Sequence, residues 1–413
     1  MSTRINIDEI TKTFLGLTLI NTTSVPGSLV LPSSKNQILL AKHVSDILRK
    51  YGCEHITIRD NAISIFELKA NAKDYPSISF FAHLDTASDH GSDTKASILH
   101  NYKGGDISLQ NNAVISIKDN PYLPDYVGQD LIVTDGTSLL GADDKSAIAA
   151  GIHAVKYMLE NPDFKHGNIK FVLLPDEEIG LQGAKALDVK ALNSDFGICL
   201  DCCGVGEYVT QNWYAGEALV VFKGVTAHPM NAKGKLVNSL TMATKFIESL
   251  PLAERPESTE GKEGYFWCKK IEGDTSKTEL DILIRDFDEK SFEKRKELLK
   301  TMVKNINKDL NNEYIEIQIK DTYINVKKGL EKQPEILKHI TSAMKSLKIK
   351  PKPLIMRGGY DGSVITEKGL TTANIFTGAH IFHAITEFLP TKSLQLASEM
   401  ILEIIKQSNE TNH

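Results

Sequence analysis

Three short runs, Ile78-Ser79-Phe80-Phe81-Ala82, Lys170 to Leu174 and Phe196 to Leu200, constrain the fold more than anything else in the chain. The first is apolar at nearly every position rather than at alternate ones, the pattern of a central strand buried on both faces. Amphipathic helical stretches lie around these runs. One is expected from Ile7 to Leu17. A second follows Ser33 or Ser34 as cap, with Leu40, Val44, Ile47, Leu48 and Tyr51 on one face and Gly52 ending it. A third runs from about Ser146 to Glu160. His55 to Arg59 and Ile63 to Leu68 read as a hairpin around Asp60-Asn61-Ala62. Strands alternating with helices predict an α/β fold with a mixed, largely parallel sheet and flanking helices.

A chain of 413 residues exceeds a comfortable single core, so a second domain is expected. From about Gly216 the pattern changes to alternating strands, with Leu280, Ile282 and Ile284 on one side, interleaved with helices. That set predicts a small inserted α+β lid domain with an antiparallel sheet. The expected boundaries are 1–215 for the first part of the catalytic domain, 216–325 for the lid, and 326–413 for the second part. Between Ser88 and Gly128 the pattern dissolves into Gly, Asn, Asp and Pro. A loop of that length is expected to be functional or to carry small hairpins.

A net charge of −5 argues against nucleic-acid binding. No apolar run has the length of a membrane span. Met1 to Asp8 lacks a signal-peptide pattern, and five cysteines suit reduced thiols better than a disulfide framework. A cytoplasmic setting is expected.

Chemistry-bearing residues cluster at strand ends. Asp143 and Asp144 open a helix; they read as a helix cap or as a metal-bridging carboxylate. His83-Leu84-Asp85 places an imidazole and a carboxylate two apart at the end of a buried strand. This is either a structural pair or a metal-bound His oriented by Asp. Asp176-Glu177-Glu178 follows the next strand, where open α/β sheets place their sites; the alternative is a solvated acidic loop. Asp201 ends the third strand, and His380 and His383 lie past Thr372 to Phe376. His, Asp and Glu donors without thiolate suit catalytic rather than structural zinc.

His83-x-Asp85, Gly141-Ala142-Asp143-Asp144-Lys145, Asp176-Glu177-Glu178, Asp201 and His383 resemble, in order and spacing, the M20 family of dinuclear zinc metallopeptidases. Asn101 to Asp106, Gly204 to Glu207, Ile284 to Asp288 and Arg357 to Gly362 extend the likeness toward the family's cytoplasmic aminotripeptidases. The resemblance implies two zinc ions per subunit bridged by Asp143. His83 and Asp201 would complete one site, and Glu178 and His383 the other. Glu177 would be the general base, with Asp85 orienting His83. In the lid, His228 would stabilise the oxyanion. Asn238 and Arg285 would lie near the substrate carboxylate, with Arg357 on a substrate-facing turn. The implied substrate is a short peptide, tripeptides foremost, and the implied assembly a homodimer through the lid.

Several positions depart from the family pattern. Cys202 and Cys203 stand where glycines are usual, Tyr360 replaces a threonine, and Ala384-Ile385-Thr386 replaces a Gly-x-His segment. Cys199-x-x-Cys202 also admits a redox or half-zinc-site reading. These changes keep open a second activity, an M20-like amidohydrolase or deacylase acting on N-acyl amino acids or other small amides.

Overall fold

The structure is a computed structural model and describes residues 4–91 and 93–410. It divides into two compact units. The larger runs to Thr210, then takes in Lys328–Leu354 and the chain from Tyr360 onward; the smaller comprises Gln211–Lys327 and Ile355–Gly359.

An eight-stranded mixed sheet centres the larger unit. Its order is His55–Ile58, Ser64–Leu68, Ile169–Leu174, Ile78–His83, Phe196–Cys202, Thr372–Phe376, Glu207–Gln211 and Lys352–Ile355. The four middle strands run parallel, in a register that pairs Ile78 with both Ile169 and Phe196, and Thr372 with Gly197. The first two strands and Glu207–Gln211 pair antiparallel at the flanks. Every residue of Ile78–His83 and Ile169–Leu174 is buried, as suits their mostly apolar character, and the polar exceptions Ser79 and Lys170 have partners in Ser194 and Glu67. Parallel register sends the carboxyl ends of these strands to one edge, so His83, Asp176 to Glu178, Asp201 and the 377–383 loop emerge together.

The Ala142–Glu160 helix is buried along most of its length, as a helix with small and apolar residues all round must be. It packs against the Thr391–Glu410 and Ile7–Thr18 helices. Asn6 caps the latter through the N–H groups of Asp8 and Glu9. The expected serine cap of the Asn36–Lys50 helix is not formed. Ser33 instead gives its N–H and hydroxyl to the Asp176 carboxylate, each at 2.5 Å, and Gln37 Nε2 adds a third bond at 2.6 Å.

The 88–130 stretch carries short strands and its own small core. Ser97–Leu99 and Phe388–Pro390 flank Leu131–Val133, and Ile107–Ser108 pairs with Val114–Ile115. Leu109, Ile115, Leu123 and Leu131 pack beneath them.

In the smaller unit, four antiparallel strands lie in the order Tyr265–Gly273, Lys277–Asp286, Tyr214–Lys223 and Ile315–Tyr323. Their core joins Val220, Phe222, Leu280, Ile282 and Ile284 to Phe246 and Leu299 of the Ser239–Ser249 and Glu289–Asp309 helices. The edge strand Tyr265–Gly273 is unannounced in the sequence because most of its residues are exposed and charged positions interrupt its alternation. Among the described residues no helix is long and apolar enough to cross a membrane.

Candidate metal centre

Asp143 is the focus of the strand-end cluster. Its Oδ1 lies 2.9 Å from His83 Nε2, and its Oδ2 lies 3.3 Å from His383 Nε2. His383 Nε2 is also 3.0 Å from Glu178 Oε1. That oxygen is buried without hydrogen-bond geometry to any partner, so imidazole and carboxylate lone pairs converge on a shared space. Ligand atoms of His83, Asp143 and Glu178 all fall within 4.8 Å of one another.

The backbone around this point is shaped by buried acids. Asp143 and Asp144 leave helical angles, and neither caps the helix they precede. Asp144 Oδ2 instead accepts the His83 N–H at 3.0 Å, while its Oδ1 is buried without a partner. Glu387, almost fully buried, accepts the N–H groups of Gly141 at 2.8 Å and Asp143 at 3.0 Å. Asp85 is fully buried. Its two oxygens accept the N–H groups of Glu177 and Glu178 at 2.9 and 3.1 Å. His83 Nδ1 bonds to the Asp85 carbonyl at 3.0 Å and lies 3.4 Å from its carboxylate. Asp85 thus orients the ring and fixes the Glu177–Glu178 turn at once. Asn374 clasps Asp201 through both backbone groups, at 2.8 and 3.0 Å.

The electrostatics are those of crowded acids. Burial, then Asp201 and Glu178, pushes the Glu177 carboxyl well up. Burial and then Asp143 raise Asp201 strongly and bring Glu178 to about 7. Burial brings Asp361 to about 7, and its Oδ1 is another buried atom without a partner. Asp143 runs the other way: burial opposes its charge, but His383 and His83 outweigh it and hold the carboxyl low. The Asp143 and Glu178 carboxylates beside its Nε2 raise His383 to about 11. So much negative charge, facing the imidazoles of His83 and His383 among the described residues and with oxygens left unpartnered, fits a site for divalent cations.

The structure therefore brings His83, Asp143, Glu178 and His383 into contact, ties Asp85 to the turn bearing Glu177 and Glu178, and couples Asp201 and Glu177 electrically to the same cluster. Glu387, Asn374 and Asp361 have no role in the sequence reading. The signal available for Asn374 was a lone amide within the apolar run Thr372 to Phe376. All five cysteines are free thiols, so Cys199 and Cys202 form no disulfide. The carbonyls of Cys202 and Cys203 accept from Thr377 and Gly378. Tyr360 is fully buried and gives its hydroxyl to the Thr372 carbonyl at 3.1 Å.

The remaining candidates belong to the smaller unit. His228 is exposed, its Nδ1 accepting the Met230 N–H at 3.3 Å. Asn238 caps the Ser239–Ser249 helix through the Leu240 N–H. Arg285 binds the carbonyls of Gly216 and Ile284 rather than a neighbouring acid; Asp286 pairs with Arg295 and Asp288 caps a helix. Arg357 donates twice to Thr259 and lies 5.1 Å above the Trp213 ring.

Residues 139–407 match peptidase family M20/M25/M40. A Clostridium perfringens protein named peptidase T is 41% identical over 395 residues, covering 95% of this chain and 97% of its own. Among solved structures, an aminopeptidase PepT from Bacillus cereus aligns with a TM-score of 0.76 at 22% identity, covering 98% of this chain and 99% of that one. A tripeptidase from Staphylococcus aureus aligns with a TM-score of 0.74, also at 22% identity and with the same coverage. On the family match and the near-complete alignment with its relative, the chain belongs to peptidase family M20/M25/M40 and is a peptidase, a hydrolase of that family.

Proposed function

We propose that the chain is a zinc-dependent aminopeptidase that removes the N-terminal residue of short peptides, tripeptides foremost. The observation that carries this reading is Asp143, whose two oxygens face two different imidazoles. On this reading Asp143 would help to hold two ions, His83 and Asp201 joining it toward one and Glu178 and His383 toward the other. Two zinc ions held there would polarise the scissile carbonyl and acidify a water.

Glu177 is the proton carrier. No described residue hydrogen-bonds its carboxyl, so it is free to take a proton from the attacking water and pass it to the leaving amine nitrogen. Asp85 holds the Glu177 and Glu178 N–H groups and so fixes where both carboxyls start from. Because His228 Nδ1 accepts a hydrogen bond, its Nε2 carries the proton of the neutral ring and can donate to a developing oxyanion. Arg285 and Arg357 each keep guanidinium donors beyond those bonded to the chain, which suits a peptide carboxylate. Asn238 completes the substrate-binding set. The name of one structural neighbour, a tripeptidase, accords with a preference for three residues. Free cysteines accord with a cytoplasmic setting, and a homodimer through the smaller unit belongs to the same reading. The mass in solution tests that last element.

The Ala384-Ile385-Thr386 segment beside His383 favours weighing one other substrate class, N-acyl amino acids. A panel of di-, tri- and tetrapeptides beside N-acyl amino acids decides. Release of the N-terminal residue, fastest from tripeptides, is expected; turnover of the acyl substrates alone would sink the proposal. Glu177→Gln should lower kcat by about 10²- to 10⁴-fold with zinc retained. Unchanged turnover would remove Glu177 from the mechanism.

A further inference from the structure

His383 sits on a loop with unusual backbone geometry. Ile381 and His383 have φ of 60° and 62°, a left-handed region that side chains other than glycine seldom occupy. Surrounding structure has to over-determine such a shape. The His383 side chain is 44% exposed and touches Asp143, Glu178 and Asp89 only through its ring nitrogens, so it is not packed on a core that would hold the loop.

The support lies three residues upstream. His380 is 6% exposed and stacks on Tyr122 at 4.4 Å and Phe388 at 5.0 Å. Its Nε2 lies 2.6 Å from the Tyr126 hydroxyl. Its backbone exchanges both hydrogen bonds with Phe388, at 2.9 and 3.2 Å. Burial pushes the imidazole down to about 4, so the ring is neutral at ordinary pH and suits an aromatic surround. A Cβ added to Gly204 would lie 3.3 Å from His380 Cε1, so the ring also rests on the turn after Asp201. Tyr122 and Tyr126 pack on the small core of the 97–133 segment, and so does Ile381. Thr134 reinforces the same mount by donating to the Ile385 carbonyl at 2.9 Å.

We propose that His380, gripped by Tyr126 and stacked on Tyr122, is a positioning residue that sets the His383 imidazole against Asp143 and Glu178. The 88–130 stretch is the mount on which this clamp is built. The proposal rests on reading His383 as a zinc ligand.

The test follows zinc retained per chain as the full-length, zinc-loaded protein is exposed to graded chelator, with a thermal melt of each variant alongside. Wild type should release zinc in two steps, and His383→Ala should lack one of them. Tyr126→Phe, which removes only the hydroxyl, and His380→Phe, which keeps the stack, should weaken that same step by about 10- to 100-fold. The other step should stay where it was. If both variants superimpose on wild type while His383→Ala still loses a step, the positioning role is overturned and the ligand reading survives. If both steps weaken equally, the clamp serves general stability and the proposal also fails. If His383→Ala retains both steps, the ligand reading falls and the proposal falls with it.

Discussion

Asp85→Asn isolates the turn that carries Glu177 and Glu178. In the native structure each carboxylate oxygen of Asp85 accepts one backbone N–H, from Glu177 at 2.9 Å and Glu178 at 3.1 Å. Asparagine keeps one acceptor and turns an NH₂ group toward the other N–H, so two donors meet in a site with no exposure. A hydrogen bond to a charged group contributes about 1.5–3 kcal/mol, and a buried donor left unpaired costs about 1–3 kcal/mol. These overlap in part, so the expected loss is about 2–4 kcal/mol. Urea unfolding in excess chelator measures it without zinc contributing to the folded state. Because the broken bond belongs to the Glu177–Glu178 turn, zinc affinity of the folded variant should also fall by about 10-fold or more. A variant that unfolds within about 0.5 kcal/mol of wild type and binds zinc unchanged would refute this account of Asp85.

Two glycines and one histidine give further tests. A Cβ at Gly151, mid-helix, would come within 2.2 Å of the edge of the buried Phe171 ring, whereas at Gly16 it would meet nothing within 4 Å. Gly151→Ala should therefore lower stability by about 1–2 kcal/mol, overpacking outweighing the gain in helix propensity, while Gly16→Ala should raise it by about 0.5–1 kcal/mol. Equal shifts of the two melting temperatures would contradict the packing argument. His153, buried beside Thr13, has its imidazole pushed down to about 4 by burial, from an ordinary 6.5. Between those values the unfolded chain binds a proton that the folded chain refuses. The stability is thus complete above about pH 6.5 and lost as pH falls toward 4, by up to about 3 kcal/mol. Against His153→Gln, wild type should show a steeper loss across that window; matching slopes would rule the histidine out as the cause.

What the sequence disclosed follows from physics that is local along the chain. The central strands were legible because burial on both faces favours runs that are apolar at nearly every position, and His83, Glu178 and Asp201 stand out as polar groups at or just past their ends. Asp143 and Asp144 illustrate the limit. The residue types suited a helix cap, but the acids turn to His83 and His383 instead, and only the parallel register makes those partners available. Glu387 is another such case: an acid more than two hundred residues from Gly141 and Asp143 in sequence holds both their N–H groups. Ser33 reads as a cap until Asp176 arrives from the next strand end to claim it. The Asp361–Glu367 helix escaped notice because it starts just past the Gly358-Gly359 turn and is too short to show a period.

The central claim is that Asp143 is shared by two ions, and zinc content per chain after gel filtration tests it most directly. Wild type should retain two ions, His83→Ala and His383→Ala one each, and Asp143→Ala neither, while Asp144→Asn should keep both. Loss of a single ion from Asp143→Ala, or equal loss from the Asp143 and Asp144 variants, would contradict the bridge.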